Sequence, residues 1–330
     1  MKKNNIAVVL ILAVSAVLFT SGVIRKIQHM TSGENLQKKA IAVIPKGTDS
    51  QWWQVVKKGA LDAAKEEGYS VNWNGPKKET ERDKQIQVVS DALARGDIAL
   101  VLGPNDATAL VGSVEKAKAT GIPVVIIDSG IETDIYDSFA ATDNYAGGAD
   151  AARRLGKALN ERGNVIVIRH VQNSASTDER AKGFRETIAK EFPDIRIIEE
   201  QHMIRGGSIE EARQTTTDLL IRNNDVDGVF AVNMPTSIGA YKAIDSLKLF
   251  DKIKFVGFDS DPVLLDGIEN GEVEALIVQD PYKIGFTGVK TAIALLNNQP
   301  VEKIIPIPSM IVDKDNLEEQ KQKNPAALGL

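Results

Sequence analysis

The most informative absence in this chain of 330 residues is cysteine, of which there is none. A chain without thiols has no disulfide bonds, no thiolate nucleophile and no thiolate metal ligand. A lipid-modified cysteine behind an export segment is excluded for the same reason. The three histidines, His29, His170 and His202, form no pair at a spacing that suits a metal ion. The sequence therefore predicts no metal site.

Glycine-rich nucleotide motifs and a strong basic charge are missing as well. The glycine pairs Gly147-Gly148 and Gly206-Gly207 fit neither the P-loop nor the G-x-G-x-x-G pattern. The formal net charge is -5, and no cluster of Lys and Arg alternates with aromatic residues. This composition disfavours nucleic acid as a partner. The sequence predicts neither a cofactor nor a nucleic-acid interface.

The longest apolar run lies near the N-terminus. Residues 6–19 are apolar, follow Lys2 and Lys3, and precede small residues, an order typical of a secretory signal. The run is shorter than the roughly 20 residues that span a bilayer. We interpret residues 1–30 as a cleaved signal peptide or a retained signal anchor, and residues 31–39 as a polar tether. Both interpretations place the remaining chain in the periplasm or another extracytoplasmic compartment and limit membrane contact to the N-terminal segment.

The rest of the chain repeats one unit of strand, loop and helix. Residues 41–44 are apolar, a segment with Pro, Gly and Asp follows, and small and apolar residues then recur at helical spacing from Trp52 towards Gly68. The same order recurs to about residue 270, with apolar strands typical of parallel sheets covered on both faces. We predict an α/β fold of two similar, doubly wound parallel-sheet lobes with a cleft between them.

Polar and aromatic residues that follow the predicted strands form the candidate site. Ligands of open parallel sheets bind beyond the carboxyl ends of the strands. The residue types found there suit a polyhydroxylated ligand, because each hydroxyl both donates and accepts, and an indole face packs against the C–H side of a sugar ring. The predicted ligand-binding residues are Ser50, Trp52, Trp53, Asn105, Asp128, Arg180, Asn233, Asp259 and Gln279.

Ordinary structural roles are alternatives for the same residues. Asp128 and Asp259 are of a type that commonly caps helices, and one of Trp52 and Trp53 can belong to the core. Arg180 suits a solvated helix face. A glycosidase would use two carboxylates at a defined separation across the scissile bond, which the sequence does not establish. We therefore predict no catalytic residues and no enzyme.

Seven segments resemble the periplasmic sugar-binding proteins of the ribose-binding type, whose lobes are shared with the ligand domains of LacI-type repressors. In order they read DSQWWQVVKKGA, GIPVVIIDS, ATDNYAGG, STDERAKGF, DGVFAVN, FVGFDSDP and VQDPYKIGFTGVKTA. The resemblance extends from Lys39 to about Asn316 and implies a type 1 periplasmic binding fold with a three-strand hinge. The implied boundaries place residues 40–142 and 281–308 in the N-terminal lobe, 143–280 and 309–318 in the C-terminal lobe, and leave 319–330 as a tail.

The resemblance also implies roles for the candidate residues. Ser50, Trp52 and Trp53 match the first-loop polar residue and the aromatic pair that stacks on the sugar. Asp128, Arg180, Asn233, Asp259 and Gln279 match ligand-binding positions of the family.

Two positions depart from the ribose-type pattern. Ser129 stands where an arginine is common, and Gly207 stands where the second lobe often has an aromatic residue. The resemblance thus implies a monosaccharide or polyol without implying ribose itself. Tryptophans in place of smaller aromatics suit a pyranose ring.

The predicted function is an exported, monomeric solute-binding protein that closes on a monosaccharide or polyol and delivers it to an ABC permease. The alternative is a sensory binding protein that signals to a membrane receptor or kinase. A repressor is disfavoured because residues 1–30 form a hydrophobic export segment where a helix-turn-helix would be needed.

Overall fold

The computed structural model describes residues 40–202 and 206–330, so the predicted signal segment and tether lie outside the described residues. The described chain forms two α/β lobes, each built on a six-stranded sheet. Within these described ranges, no helix combines the length and the apolar character that crossing a membrane requires.

The N-terminal lobe has a sheet in which every neighbouring pair of strands is parallel. Its strands are β1 (Ala40–Ile44), β2 (Ser70–Trp73), β3 (Ala99–Leu102), β4 (Val124–Ile127), β5 (Ser138–Thr142) and β11 (Ile304–Ile307). Its helices are α1 (Gln51–Glu66), α2 (Arg82–Arg95), α3 (Val111–Ala119) and α9 (Pro281–Leu296). The strand order is β11-β5-β4-β3-β1-β2. Strands β1, β3 and β4 are fully buried, which explains their uninterrupted apolar sequences.

The C-terminal lobe repeats this arrangement. Its strands are β6 (Arg162–Arg169), β7 (Asp194–His202), β8 (Gly228–Ala231), β9 (Lys254–Phe258), β10 (Ala275–Val278) and β12 (Met310–Val312). Its helices are α4 (Asn144–Ala158), α5 (Ala175–Glu191), α6 (Ile209–Arg222), α7 (Met234–Ser246), α8 (Pro262–Asn270), α10 (Leu317–Lys323) and α11 (Pro325–Leu328). The strand order is β12-β10-β9-β8-β6-β7, and only the edge pair β10–β12 is antiparallel.

The chain passes between the two sheets three times, after β5, after β10 and after β11. This confirms the predicted α/β fold of two parallel-sheet lobes joined by three connections. The exact residue at which each lobe begins stays a prediction.

The C-terminal residues 319–330, predicted to be a tail, are largely helical. Leu328 is buried in the core of the C-terminal lobe, and the Ser260 hydroxyl donates a hydrogen bond of 3.0 Å to the Ala327 carbonyl oxygen. Ala327 and Leu328 are both buried in α11, but they follow the polar sequence of α10 and form no periodic apolar pattern. The segment therefore packs as part of that lobe.

Helices α1 and α9 approach so closely that one position accepts only glycine. A Cβ atom on Gly59 would lie 2.0 Å from the carbonyl oxygen of Tyr282. Helices α4 and α5 cross in the same manner in the other lobe, where a Cβ atom on Gly148 would lie 1.9 Å from the carbonyl oxygen of Arg180. These crossings bring backbone against backbone, so the contact cannot relax by a side-chain rotation.

We predict that Gly59→Ala destabilises the protein by about 3 kcal/mol or more, because the added methyl group overlaps a backbone carbonyl. Gly112→Ala is the matched control: Gly112 lies in α3, where an added Cβ atom would have no neighbour within 4 Å, and alanine in a helix gains about 0.5–1 kcal/mol over glycine. Urea unfolding of both variants measures the difference. Equal unfolding midpoints for the two variants would contradict the close helix crossing.

Candidate ligand-binding site

A small cavity of about 50 Å³ lies between the lobes. Both lobes supply its walls at the carboxyl ends of their strands. The lining residues are Lys46, Ser50, Trp52, Trp53, Glu79, Asp128, Ser176, Thr177, Arg180, Asn233, Met234, Pro235, Asp259 and Gln279. The structure thus brings together every candidate residue named from the sequence except Asn105.

Asn105 is buried within the loop that follows β3. Its backbone N–H donates to the Gln85 side-chain oxygen at 2.9 Å, and Gln85 in turn donates to the carbonyl oxygens of Pro45 and Gly103, both at 2.8 Å. The Asn105 side-chain amide is buried, with no hydrogen-bond partner among the described residues. Gln85 therefore holds this loop in place, and Asn105 stays off the cavity wall.

The two adjacent tryptophans take different roles at the start of α1. The Ser50 hydroxyl caps the helix by accepting from the Trp53 backbone N–H. Trp53 is only 2% exposed and belongs to the core of the N-terminal lobe, while its indole N–H donates to Glu79 at 2.8 Å. Trp52 packs edge-on against it, with ring centroids 4.7 Å apart. The Trp52 indole nitrogen is buried with no partner among the described residues.

Asp128 and Asp259 occupy equivalent positions in the two lobes, directly after β4 and β9. Both have left-handed backbones, with φ of 64° and 63°, a conformation that costs a non-glycine residue about 1–3 kcal/mol. Their backbone N–H groups donate to the next strand, at Ala140 and Ile277. The Asp259 carboxylate also accepts from Met234 N–H, the first residue of α7, at 3.1 Å. Asp259 thus serves a neighbouring helix terminus and lines the cavity as well.

Arg180 is buried, which excludes a solvated helix face for it. Its Nε donates to the Asn144 side-chain oxygen at 2.8 Å, and its Nη1 donates to the Val232 carbonyl oxygen at 3.0 Å. The same Nη1 lies 3.9 Å from Asp259 Oδ2, and the guanidinium lies 3.8 Å from the centre of the Phe258 ring. The guanidinium is therefore fixed in orientation by protein groups alone.

Burial acts in opposite directions on the two members of this ion pair. Burial lowers the pKa of Arg180, and the negative charges of Asp259 and Asp128 oppose that shift. Burial raises the pKa of Asp259, and the positive charge of Arg180 and the hydrogen bond from Gln279 oppose it. Each charge thus stabilises the ionised form of the other in the cavity.

Gln279 and Asn233 complete the wall of the C-terminal lobe. The Gln279 amide nitrogen donates to Asp259 Oδ1 at 2.8 Å, whereas the Gln279 amide oxygen is buried with no partner among the described residues. The Asn233 side chain caps α7 by accepting from Thr236 N–H, within a capping box. Asn233 therefore caps a helix and lines the cavity as well.

Sequence reasoning missed Lys46 and Glu79, two charged lining residues. Lys46 follows β1 by two residues and so shares the strand-end position that singled out the other candidates. Its ammonium lies 2.8 Å from Asp128 Oδ2. Glu79 lies in the long loop after β2, where no periodic signal distinguishes it from its polar neighbours. Its carboxylate lies 3.2 Å from His170 Nε2 in the other lobe.

Residues 41–300 match the family model for the periplasmic binding protein domain. The chain belongs to this family, and the fold and cavity described above are those of a two-lobe solute-binding protein. Within the family it is of the ribose-binding type, as its resemblance predicted.

The most informative relatives are sugar-binding proteins of transport systems. The ribose import binding protein of Bacillus subtilis is 28% identical over 306 residues, covering 92% of this chain and 97% of that protein. A carbohydrate-transporter solute-binding protein from Agrobacterium radiobacter, solved with D-arabinose, is 33% identical with a TM-score of 0.85 and covers 89% of this chain and 100% of its own. A protein from Agrobacterium vitis with bound D-fucose is 35% identical with a TM-score of 0.83, covering 86% and 99%.

The pKa of Glu79, another ionisable group in the cavity wall, is lowered by its neighbours. Burial by itself raises the pKa of Glu79, but the hydrogen bond and charge of His170, the charge of Lys46 and the hydrogen bond from Trp53 together lower it to about 2. The carboxylate is therefore ionised in the folded protein even in moderately acidic solution.

We predict that Glu79 makes folding stability pH-dependent between about pH 4.5 and pH 2. Its folded pKa lies below the unfolded value, so its contribution is complete above about pH 4.5 and is lost as the pH falls towards 2. The contribution amounts to at most about 3 kcal/mol. Chemical denaturation across this pH range should show that the free energy of unfolding depends less on pH in Glu79→Gln than in the unmodified protein. Glu115→Gln is the control for the loss of one carboxylate. Superimposable profiles for Glu79→Gln and the unmodified protein would contradict the assignment.

Proposed function

We propose that this protein binds a monosaccharide or polyol in the cavity between its lobes, closes over it by hinge motion, and delivers it to an ABC importer. The observation that carries the proposal is the pair of buried polar atoms without partners in two lining residues. Trp52 offers an N–H donor from the N-terminal lobe, and Gln279 offers a carbonyl acceptor from the connection that leaves β10. Sugar hydroxyls both donate and accept, so one ligand can satisfy both atoms.

The remaining polar wall suits hydroxyl groups as well. Asp128 and Asp259 present carboxylates that accept from hydroxyls, and Arg180 presents a guanidinium whose orientation is already fixed. A buried polar group left unpaired costs about 1–3 kcal/mol. A site of this kind therefore discriminates against analogues that lack one hydroxyl.

The ring of the ligand would lie against Trp52. The indole of Trp52 is half-buried in the cavity wall, whereas Trp53 is held behind it by Glu79. A flat apolar face of this size suits the C–H side of a pyranose. Structural neighbours solved with D-arabinose and D-fucose support a monosaccharide of five or six carbons.

We expect the lobes to close over the ligand because the site is divided between them. Ser50, Trp52 and Asp128 belong to the N-terminal lobe, and Arg180, Asn233 and Asp259 belong to the other. A ligand contacts both sets at once only when the lobes are shut, so binding shifts the population towards the closed state. Delivery to a permease is supported by the transport roles of the relatives. Export through residues 1–30 and a monomeric state complete the proposal.

A thermal-shift screen tests the ligand class. The purified protein, refolded after denaturation to remove any carried ligand, is heated with ribose, arabinose, fucose, allose, polyols and amino acids as controls. We expect one or two sugars or polyols to raise the melting temperature, since a ligand at a hundredfold excess over Kd stabilises by about 2.7 kcal/mol. A shift with an amino acid and none with any sugar or polyol would contradict the proposal.

Asp259→Asn should weaken binding of the identified sugar about ten- to a hundredfold, because hydrogen bonds to a charged group contribute about 1.5–3 kcal/mol. Asp261→Asn is the matched control: Asp261 caps α8 two residues away, and asparagine caps a helix equally well. Titration calorimetry compares the two. Unchanged affinity in Asp259→Asn would remove Asp259 from the site.

Transport itself is tested in cells. Deletion of the gene in the host should abolish high-affinity uptake of the identified sugar, and restoration of the gene should recover it. Normal uptake together with a lost response to the sugar would identify a sensory protein instead.

A further inference from the structure

Two charged side chains of the N-terminal lobe reach across the cleft and contact the other lobe directly. Lys46 and Glu79 line the cavity, and neither is among the residues that the family resemblance marked. Each contacts both a ligand-site residue of its own lobe and a residue of the C-terminal lobe. Each residue therefore joins the ligand site to the opposite lobe.

Lys46 connects Asp128 with the start of α5. The ammonium is buried and lies 2.8 Å from Asp128 Oδ2. It also donates to the Ser176 hydroxyl at 2.9 Å and lies 3.4 Å from the Ser174 hydroxyl, both in the other lobe. An ammonium group has three N–H donors and no acceptor, so these three oxygens match its full capacity. Lys46 thus fixes the Asp128 carboxylate and holds the lobes together with the same group.

Glu79 makes an equivalent connection through its two carboxylate oxygens. Oε1 accepts from the Trp53 indole N–H at 2.8 Å within the N-terminal lobe. Oε2 lies 3.2 Å from His170 Nε2 in the C-terminal lobe. The orientation of Trp53, against which Trp52 packs, is therefore linked to the same contact that bridges the cleft.

Several further hydrogen bonds cross the cleft beside these residues. Ser176 N–H donates to the Ser129 hydroxyl at 3.1 Å, and Ala107 N–H donates to the Asn173 carbonyl oxygen at 3.0 Å. Ser129 stands where the ribose-type pattern often has an arginine. Its short side chain leaves the start of α5 free to approach, which brings Ser176 within reach of Lys46.

We propose that Lys46 and Glu79 form a latch between the lobes that populates the closed state in the absence of ligand and positions Asp128 and Trp53 for binding. The latch rests on the hinge closure proposed above, and it regulates that same site. When only a fraction of the protein molecules is in the binding-competent state, the apparent affinity for the ligand is reduced by that fraction. A latch that raises the closed fraction therefore raises the apparent affinity without a new contact to the sugar.

The test measures the distance between the lobes in the ligand-free protein. Because the chain has no cysteine, a labelling pair can be introduced alone, at Lys84→Cys in α2 and Glu210→Cys in α6. Both side chains are exposed near the first turns of their helices, and both helices begin at the cleft side of a parallel sheet. Pulsed electron-spin resonance on spin labels at these sites gives the full distance distribution.

Two substitutions break the latch, Ser176→Ala and Glu79→Gln. Ser176→Ala removes an acceptor of Lys46 in the other lobe and leaves the Lys46–Asp128 pair in place. Lys118→Met is the control, because Lys118 pairs with Asp137 within the N-terminal lobe, at 2.6 Å. We expect a short-distance component in the ligand-free parent and in Lys118→Met, and its reduction by threefold or more in each latch variant. A parent without that component, or latch variants that keep it, would overturn the proposal.

A sugar titration of the same variants distinguishes a failure of the latch from a failure of the proposed sugar binding. With a latch, the apparent affinity of Ser176→Ala falls by the same factor as its closed fraction. A fall in affinity with an unchanged ligand-free distribution overturns the latch and makes these residues direct sugar contacts, while the proposed function stands. Loss of the short-distance component in the variants supports the latch even where no sugar binds, because that measurement contains no ligand.

Discussion

The structure depends on keeping ionised side chains buried between two lobes. Arg180 and Asp259 are each buried, and each opposes the effect of burial on the pKa of the other. Lys46 and Asp128 form a second buried pair at 2.8 Å. Buried charges of this kind are stable only when their partners and hydrogen bonds are in place. The strand ends, helix caps and hinge that meet at the cavity supply those partners.

The two lobes hold their buried carboxylates in the same way. Asp128 and Asp259 both follow a buried strand, both adopt a left-handed backbone, and both donate their N–H to the adjacent strand. The helix pairs beneath them cross at glycine in both lobes, at Gly59 and at Gly148. The Gly148 crossing sets the position of the Arg180 backbone. The rigidity of each lobe thus fixes the carboxylates and the guanidinium, and the connections between lobes are left to move.

Much of this arrangement could be predicted from the sequence, for identifiable reasons. Apolar runs such as residues 41–44 indicated buried parallel strands, and the rule that ligands bind beyond strand ends selected Trp52, Asp128 and Asp259. The same rule selected Asn105, which is buried in a loop held by Gln85 and is not among the residues that line the cavity. Glu79 lies in the loop after β2, which is held by hydrogen bonds to the distant Thr48 and Trp53 and contacts His170 of the other lobe. Residues whose role comes from long-range contacts carry no periodic signal.

The central claim is that one sugar is held by polar atoms of both lobes in this cavity. A crystal structure of the protein with the sugar identified by screening tests it most directly. The account predicts a single sugar between Trp52 and Asp259, with hydroxyls bonded to the Trp52 indole N–H and the Gln279 amide oxygen. A sugar bound elsewhere on the protein, with this cavity filled only by water, would contradict it.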